Sequence, residues 1–399
     1  MRILILQAGF NEIGVINALK KMGHYVIAIG NQKGLIGQQY VDEYYCVDYS
    51  DQEKVLKFAI NHNIDRICAC CNDTAVLTAC YVAEKMNLCN YEKYETARMI
   101  CHKDLFKRYA MENGILTMPS KSFHISERQI AFEFVDKQEY PIIIKPVDLS
   151  GGKGVTKCEN SIEAKEAIGK AFDYSRSNNI IIEQFIEGKQ HGFCAFLVKQ
   201  KVVACCSNDE ISLVNPYRVE IDMFPASDEC IHKEILISQV EKIAADLQLA
   251  DGIFHLQYID DGNNIYILEA MRRIIGNMYS VPAREECGFE WDYYEALANI
   301  GEFSKFEELK DIYCESRGYY AYRAIVPPKN GQIADVKIDK RLEKYIFNSI
   351  MLWEKGKIIK NYKHDTLGIL FLKFSNSKEM KEVMLEKSGW INVVMELPV

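Results

Sequence analysis

The stretch Ile142-Ile143-Ile144-Lys145-Pro146-Val147-Asp148-Leu149-Ser150-Gly151-Gly152-Lys153-Gly154-Val155-Thr156-Lys157-Cys158 decides how this 399-residue chain is read. An apolar run ends on a lysine, a glycine cluster follows, and Val155 to Cys158 reads as a second strand. Two strands joined in this way make a hairpin whose tip is mobile backbone. The N–H groups of Ser150 to Gly154 are unobstructed, so they can fold over phosphate oxygens while the Lys145 ammonium reaches them from the strand. It is not a P-loop: the order glycine, four residues, Gly-Lys-Ser/Thr is missing, and the loop opens into a strand rather than a helix. A glycine hairpin tip is also often just a turn, so the reading depends on its surroundings.

Toward the N-terminus, Ile3 to Leu6 is an apolar run that stops at Ala8-Gly9, and Ile13, Ile16 and Leu19 follow at helical spacing before Gly23. Tyr25 to Ile29 and Arg66 to Cys70 read as further strands, Asp51 to Asn61 and Asp73 to Lys85 as helices. Alternation of this kind predicts an open parallel α/β sheet. Gly9 and Gly14 do not complete a dinucleotide fingerprint, and Asn31 stands where a ribose-binding acid belongs, so NAD is discounted. Tyr91 to Gly114 reads as two helices, Met118-Pro119-Ser120 as a turn, and Glu127 to Lys137 as a helix.

Beyond the glycine cluster, Ile162 to Tyr174 reads as a helix, and Ile180 to Glu183, His191 to Val198 and Val202 to Ser207 as strands. The helix Glu234 to Leu247 and the hairpin Ile253 to Ile259 and Ile265 to Glu269, turned by Asp261-Gly262-Asn263, follow. From about Gly318, short strands alternate with the turns Pro327-Pro328, Asn330-Gly331 and Lys355-Gly356. The expected domains are 1–90, an α/β unit; 91–317, with linking helices to 118, one lobe to 188 and a second to 317; and a mostly β subdomain over 318–399.

Composition narrows the function classes. With 48% hydrophobic and 26% charged residues the chain is an ordinary globular protein, which excludes disorder, collagen and coiled coil. A formal charge of −8 argues against a nucleic-acid surface of any size and leaves room for a local basic pocket. No stretch approaches the roughly 18 apolar residues of a membrane span, and the opening run is too short for a signal peptide. The expectation is a cytoplasmic protein with no membrane partner. Fourteen cysteines without paired spacing are expected to stay reduced, and Cys68, Cys70 and Cys71 read as a buried strand rather than a metal site.

Three further groups carry chemistry. Glu183-Gln184-Phe185-Ile186 ends a strand with an acid beside apolar backbone, a pattern suited to an adenine edge. Gln257 and Glu269 lie on the two strands of one hairpin, where both could face a hard cation whose other ligands are phosphate and water. Arg273 adds a fixed guanidinium for a carboxylate or phosphoryl oxygen. Each residue taken singly is equally compatible with a solvated surface pair.

Together these segments resemble the ATP-grasp superfamily over nearly the whole chain, with Ala8-Gly9-Phe10-Asn11 and Ala69-Cys70-Cys71-Asn72-Asp73 in the places expected of its N-terminal domain. The resemblance implies an ATP-grasp fold after that α/β domain, with ATP and Mg2+ (Mn2+ as a substitute) as cofactors. It makes Lys103, in Cys101-His102-Lys103-Asp104, the first phosphate-binding lysine and Lys145 the second, with Ser150, Gly151, Gly152 and Gly154 in the closing loop. Glu183 and the backbone of Phe185 and Ile186 would meet adenine. Gln190 replaces a common ribose-binding glutamate and keeps an acceptor. Gln257 replaces a more frequent metal-binding glutamate, Glu269 is retained, and Met271 stands where many members carry an asparagine.

Glu269-Ala270-Met271-Arg272-Arg273 followed by Gly276-Asn277 resembles the amino-acid ligase branch. That branch joins a carboxylate to an amine through an acyl phosphate, releasing ADP and phosphate. Catalytic roles would fall to Arg273, Glu269 and Lys145, and small-molecule substrate contacts to Arg218, Arg284 and Asn277. Asp209 to Ala226 is expected as a substrate loop, with Arg218 and Arg284 equally readable as surface pairs. His255, two residues before Gln257, shares its strand face and reads as a core or supporting histidine. A bicarbonate-using carboxylase of the biotin or purine type and a nucleotide-binding regulator with a degraded site are the alternatives. A homodimer, the commonest assembly of soluble enzymes, is the expected oligomer.

Overall fold

A computed structural model describes all residues except 89, 228, 310–314, 386–388 and 397–399, together with the side chains of 229–231. The first sheet is parallel, order β3-β2-β1-β4, from β1 (Arg2–Leu6), β2 (Tyr25–Gly30), β3 (Glu43–Cys46) and β4 (Arg66–Cys68). Its strands alternate faces with period two. Ile3 and Ile5 pack with Val15, Ile16 and Leu19 of α1 (Ile13–Lys21), while Leu4 and Leu6 pack with Val55 and Phe58 of α2 (Gln52–Asn61) and with Ala75, Val76 and Ala79 of α3 (Asp73–Met86). Asn72 caps α3 by accepting from the N–H of Thr74 at 2.9 Å. The expected strands and helices of this region are present; the four-residue edge strand β3 is an addition.

Two linking helices follow, α4 (Tyr94–Cys101) and α5 (Lys103–Glu112). A four-stranded antiparallel sheet, order β5-β8-β6-β7, comes next: β5 (Ser120–His124), β6 (Ile142–Pro146), β7 (Thr156–Cys158) and β8 (Asn179–Gln184). Its helices are α6 (Arg128–Val135) and α7 (Ser161–Tyr174), whose Ala164, Ala167, Ile168 and Ala171 bury against the strands. The glycine hairpin is therefore β6-loop-β7 as read. Ser120 opens a strand where a turn was expected, because pairing with β8 supplies the hydrogen bonds that its polar composition does not advertise.

The largest sheet has eight strands. In chain order its first members are β9 (Lys189–Val198), β10 (Lys201–Ile211), β11 (Ile221–Phe224), β12 (Gly252–Asp260) and β13 (Ile265–Met271), with α8 (Glu229–Asp246) against one face. Then come α9 (Ser280–Cys287), α10 (Trp291–Ile300), β14 (Tyr319–Ile325), β15 (Gly331–Ile338), α11 (Lys340–Glu343), β16 (Ile346–Met351), β17 (Ile358–Ile359), β18 (Gly368–Phe374), α12 (Ser377–Leu385) and β19 (Ile391–Met395). The order is β13-β12-β9-β10-β11-β14-β18-β16, and β17-β15-β19 form a small separate sheet. Strands from beyond Gly318 thus extend the sheet begun at Lys189. The span Asp209 to Ala226 is not one loop: β10 runs to Ile211 and β11 begins at Ile221, so only 212–220 connects them. Trp291 and Leu297 of α10 share a core with Ile3 and Ile5 and with Phe196 and Ile253 of the large sheet, tying the N-terminal sheet to it. No helix among the described residues is long and apolar enough to cross a membrane.

Candidate functional site

Lys103 opens α5, and its position there joins three parts of the molecule. Its backbone N–H donates to the Val147 carbonyl at 3.1 Å, and its ammonium donates to the Leu149 carbonyl at 2.7 Å and pairs with Glu269 of β13 at 3.1 Å. One helical turn later, Lys107 is 1% exposed and lies 3.5 Å from Glu183 of β8. Lys145 of β6 reaches the other oxygen of Glu183 at 2.8 Å. Two carboxylates and three ammonium groups therefore lie where α5, the glycine-loop sheet and β13 meet.

Burial opposes the charge on Glu269, but Lys103 and Lys145 outweigh it and bring its carboxyl down to about 2. Glu183 is likewise held below the usual carboxylate range by Lys107 and Lys145 against its burial. Burial dominates at Lys107, which falls to about 8 despite Glu183. Lys107 escaped the sequence reading, although a lysine four residues after Lys103 among the core positions Ile100, Phe106 and Ala110 was a signal.

On the large sheet, Gln257 of β12 stands directly opposite Glu269 of β13. The Gln257 amide donates to Glu210 of β10 at 2.7 Å, and Gln190 of β9 donates to the same carboxylate at 2.7 Å. Glu210 stands opposite Asp222 of β11, which accepts from Asn208 at 2.8 Å. Burial and the neighbouring Glu210 push the Asp222 carboxyl well up. His255 is fully buried; burial opposes its charge, but Cys194 and Glu210 raise it to about 9. It belongs to this core polar group, as its strand position suggested.

The glycine loop has positive φ at Gly151, Gly152 and Gly154. At Gly152 a side chain is also excluded by contact: an added Cβ would lie 2.6 Å from the Tyr217 carbonyl oxygen. The Tyr217 hydroxyl accepts from the Lys157 N–H at 2.8 Å, so the 212–220 segment is fastened to the base of the loop. The Lys157 ammonium lies 4.2 Å over the Phe185 ring.

The remaining candidates are less concentrated. Arg273 is 7% exposed and makes a bidentate pair with Asp73 at the start of α3, with one contact at 3.2 Å. Asn277 donates to the Tyr322 hydroxyl at 3.0 Å and to the Val219 carbonyl at 3.1 Å. Arg218 donates to the Asp365 carbonyl at 3.2 Å, away from the lysine cluster. Arg284 is not brought in: its 2.8 Å partner is Glu285, next to it on exposed helix surface. Cys68 and Cys70 are buried as expected, and none of the eleven described cysteines forms a disulfide.

Comparison with known proteins places this arrangement. Residues 101–211 match the family model of the phosphoribosylglycinamide synthetase ATP-grasp (A) domain. Over that stretch the chain is similar to an ATP-grasp domain. A phosphoribosylamine–glycine ligase from Methanosphaera stadtmanae is 26% identical over 206 residues, 49% of this chain and 46% of that protein. A D-alanine–D-alanine ligase from Staphylococcus saprophyticus is 34% identical over 93 residues, 22% of this chain and 26% of that protein. The matched region thus spans less than half the length of these curated relatives. The L-amino acid ligase structure from Bacillus licheniformis superposes with a TM-score of 0.83 at 16% identity, covering 99% of both chains. That likeness shows a shared fold over the whole length.

Proposed function

We propose that the chain is an ATP-dependent ligase that joins a carboxylate, an amino acid by its branch resemblance, to an amine through an acyl phosphate. The observation that carries this reading is the meeting of Lys103, Lys145 and the opposed pair Gln257 and Glu269 beside a glycine loop. Lysines and hard oxygen donors in one place suit a triphosphate and its cation, and positioning with charge neutralisation is most of what such a reaction asks of a protein.

In this reading Lys103 and Lys145 hold phosphate oxygens, and Ser150 to Gly154 cover them and exclude water from the acyl phosphate. Glu183, expected at the adenine, is instead buried between Lys107 and Lys145 and holds Lys145 in place. Phe185 and Ile186 border the adenine, and Gln190 offers an acceptor to the ribose. The donor set fits magnesium: Gln257 and Glu269 present oxygen from adjacent strands, with phosphate and water completing the shell. Met271 contributes no oxygen, and its sulfur instead lies 3.2 Å from Arg273. Bound there, the ion would polarise phosphoryl oxygens as a Lewis acid. Arg273, fixed by Asp73, is assigned to the substrate carboxylate, with Asn277 and Arg218 bordering the substrate region.

The test is a hydroxamate screen: protein, ATP, magnesium and hydroxylamine against a panel of amino acids and small carboxylic acids, with ADP release followed in parallel. Hydroxamate with stoichiometric ADP for one acid is the expected result. Turnover that appears only with bicarbonate would assign a carboxylase, and ATP binding without either product would assign a regulator. Glu269→Ala is expected to abolish turnover with the circular dichroism unchanged; full activity in that variant overturns the reading.

A further inference from the structure

Two of the departures from the family pattern at the nucleotide site, Gln190 and Gln257, end on one buried carboxylate. We propose that Glu210 is a positioning residue that turns the two glutamine carbonyl oxygens toward nucleotide and metal, supplying from behind the negative charge their amides lack. The inference rests on the ligase reading for the places of Gln190 and Gln257.

The geometry is specific. Glu210 accepts from Gln190 at 2.7 Å and from Gln257 at 2.7 and 2.9 Å. A carboxylate is acceptor-only, so each glutamine must present Nε2 to it and carry Oε1 on the opposite side of the amide. Without that anchor the two ends of each amide are nearly isosteric, and a flipped Gln257 would turn an N–H toward a cation. The anchor removes the wrong orientation before any ligand arrives.

The backbone makes room for the contact. Glu210 and Gln257 lie two strands apart, separated by β9, a span of about 9–10 Å between strand axes. The intervening residue opposite Gln257 is Gly192, which also faces Asn208 of β10. A Cβ at Gly192 would lie 2.5 Å from the Asn208 oxygen and 2.9 Å from the His255 ring, so no larger residue fits beside them. The Glu210 and Gln257 side chains meet across β9. Glu210 is held in turn among Asp222, opposite it on β11, and His255 at 3.9 Å. Losing a partner that orients a ligating group in this way typically costs roughly 10–100-fold in metal affinity.

The experiment is Mn2+ affinity measured by electron paramagnetic resonance on protein saturated with a non-hydrolysable ATP analogue, with KM for MgATP measured separately from kcat. Glu210→Gln is expected to weaken Mn2+ binding roughly 10–100-fold and to raise KM more than it lowers kcat. Glu210→Gln combined with Gln257→Glu moves the carboxylate to the ligand position and is expected to recover most of the lost affinity. Should the single variant fail to fold, Glu210→Asp keeps the charge, lengthens both amide contacts and shifts affinity in the same direction. Wild-type Mn2+ affinity in a folded Glu210→Gln or Glu210→Asp protein overturns the proposal and leaves the ligase reading standing. Failure of the wild-type protein to bind the Mn2+–nucleotide complex at all would remove the ligase reading itself.

Discussion

Replacing Glu183 by glutamine removes the one carboxylate shared by Lys107 and Lys145 while preserving its shape. At an effective dielectric near 20, contacts of 3.5 and 2.8 Å correspond to gross attractions of about 5 and about 6 kcal/mol. Most of that offsets desolvation, and breaking a buried pair from one side costs about 3–5 kcal/mol because a charge is left without its partner. Here two ammonium groups remain together in the core, so Glu183→Gln belongs at the upper end of that range. The melting midpoint should fall by on the order of 10 °C. Lys107→Met alone leaves the 2.8 Å pair intact and should cost much less.

The double variant should be more stable than Glu183→Gln alone, with a coupling of at least about 1.5 kcal/mol in a thermal or denaturant double-mutant cycle. The sign with pH follows from Lys107. Its pKa of about 8 lies below the ordinary 10.5 because burial opposes the charge, and Glu183 foremost, with Glu269 behind it, holds it from falling further. Glu183→Gln therefore sheds that proton more readily than the wild type, and its deficit should narrow as pH rises from 7 to 9. Additive costs in the cycle, or a deficit that widens over this range, would refute the argument that the two lysines depend on one anion.

Two further predictions follow from the same site. Glu269 titrates near 2 rather than 4.5 because the lysines favour its charged form, so its contribution, on the order of 3 kcal/mol, is complete above about pH 4.5 and lost as pH falls toward 2. Acid titration should accordingly separate wild type from Glu269→Gln, with the wild type losing stability more steeply; parallel curves would contradict it. Gly151→Ala and Gly152→Ala impose the same positive-φ strain of about 1–2 kcal/mol, but only at Gly152 does the new methyl meet the Tyr217 carbonyl. If closure of the loop against the 212–220 segment matters, ADP release should slow roughly 10–100-fold in Gly152→Ala and far less in Gly151→Ala.

Local patterns carried much of the architecture. Apolar runs with period two or 3.6 announced β1, α1, α2, α3 and the hairpin of β12 and β13, because burial of one face is written into the residues themselves. The glycine loop was legible for the same reason: Gly152 is required by a backbone angle and by a neighbour that would strike a Cβ. Lys103, Lys145, Gln257 and Glu269 were found by residue type and by resemblance of their surroundings.

Long-range pairing decided the rest. β5, Ser-Lys-Ser-Phe-His, holds few strand-forming residues, and a partner distant in sequence imposes its conformation. Sequence nominated Arg273 for the site and left Asp73 in the N-terminal domain, and only the packing of α10 and the large sheet on that domain brought them together as a pair. Glu210 carried no local signal at all. Its meaning lies in two glutamines from other strands and a glycine between them, and strand order and register exist only in the folded sheet. Residue order was enough to place most strands and helices and to nominate Lys103, Lys145, Gln257 and Glu269. The tertiary structure alone decided which charges meet, because a contact between residues far apart in the chain is set by sheet topology rather than by spacing.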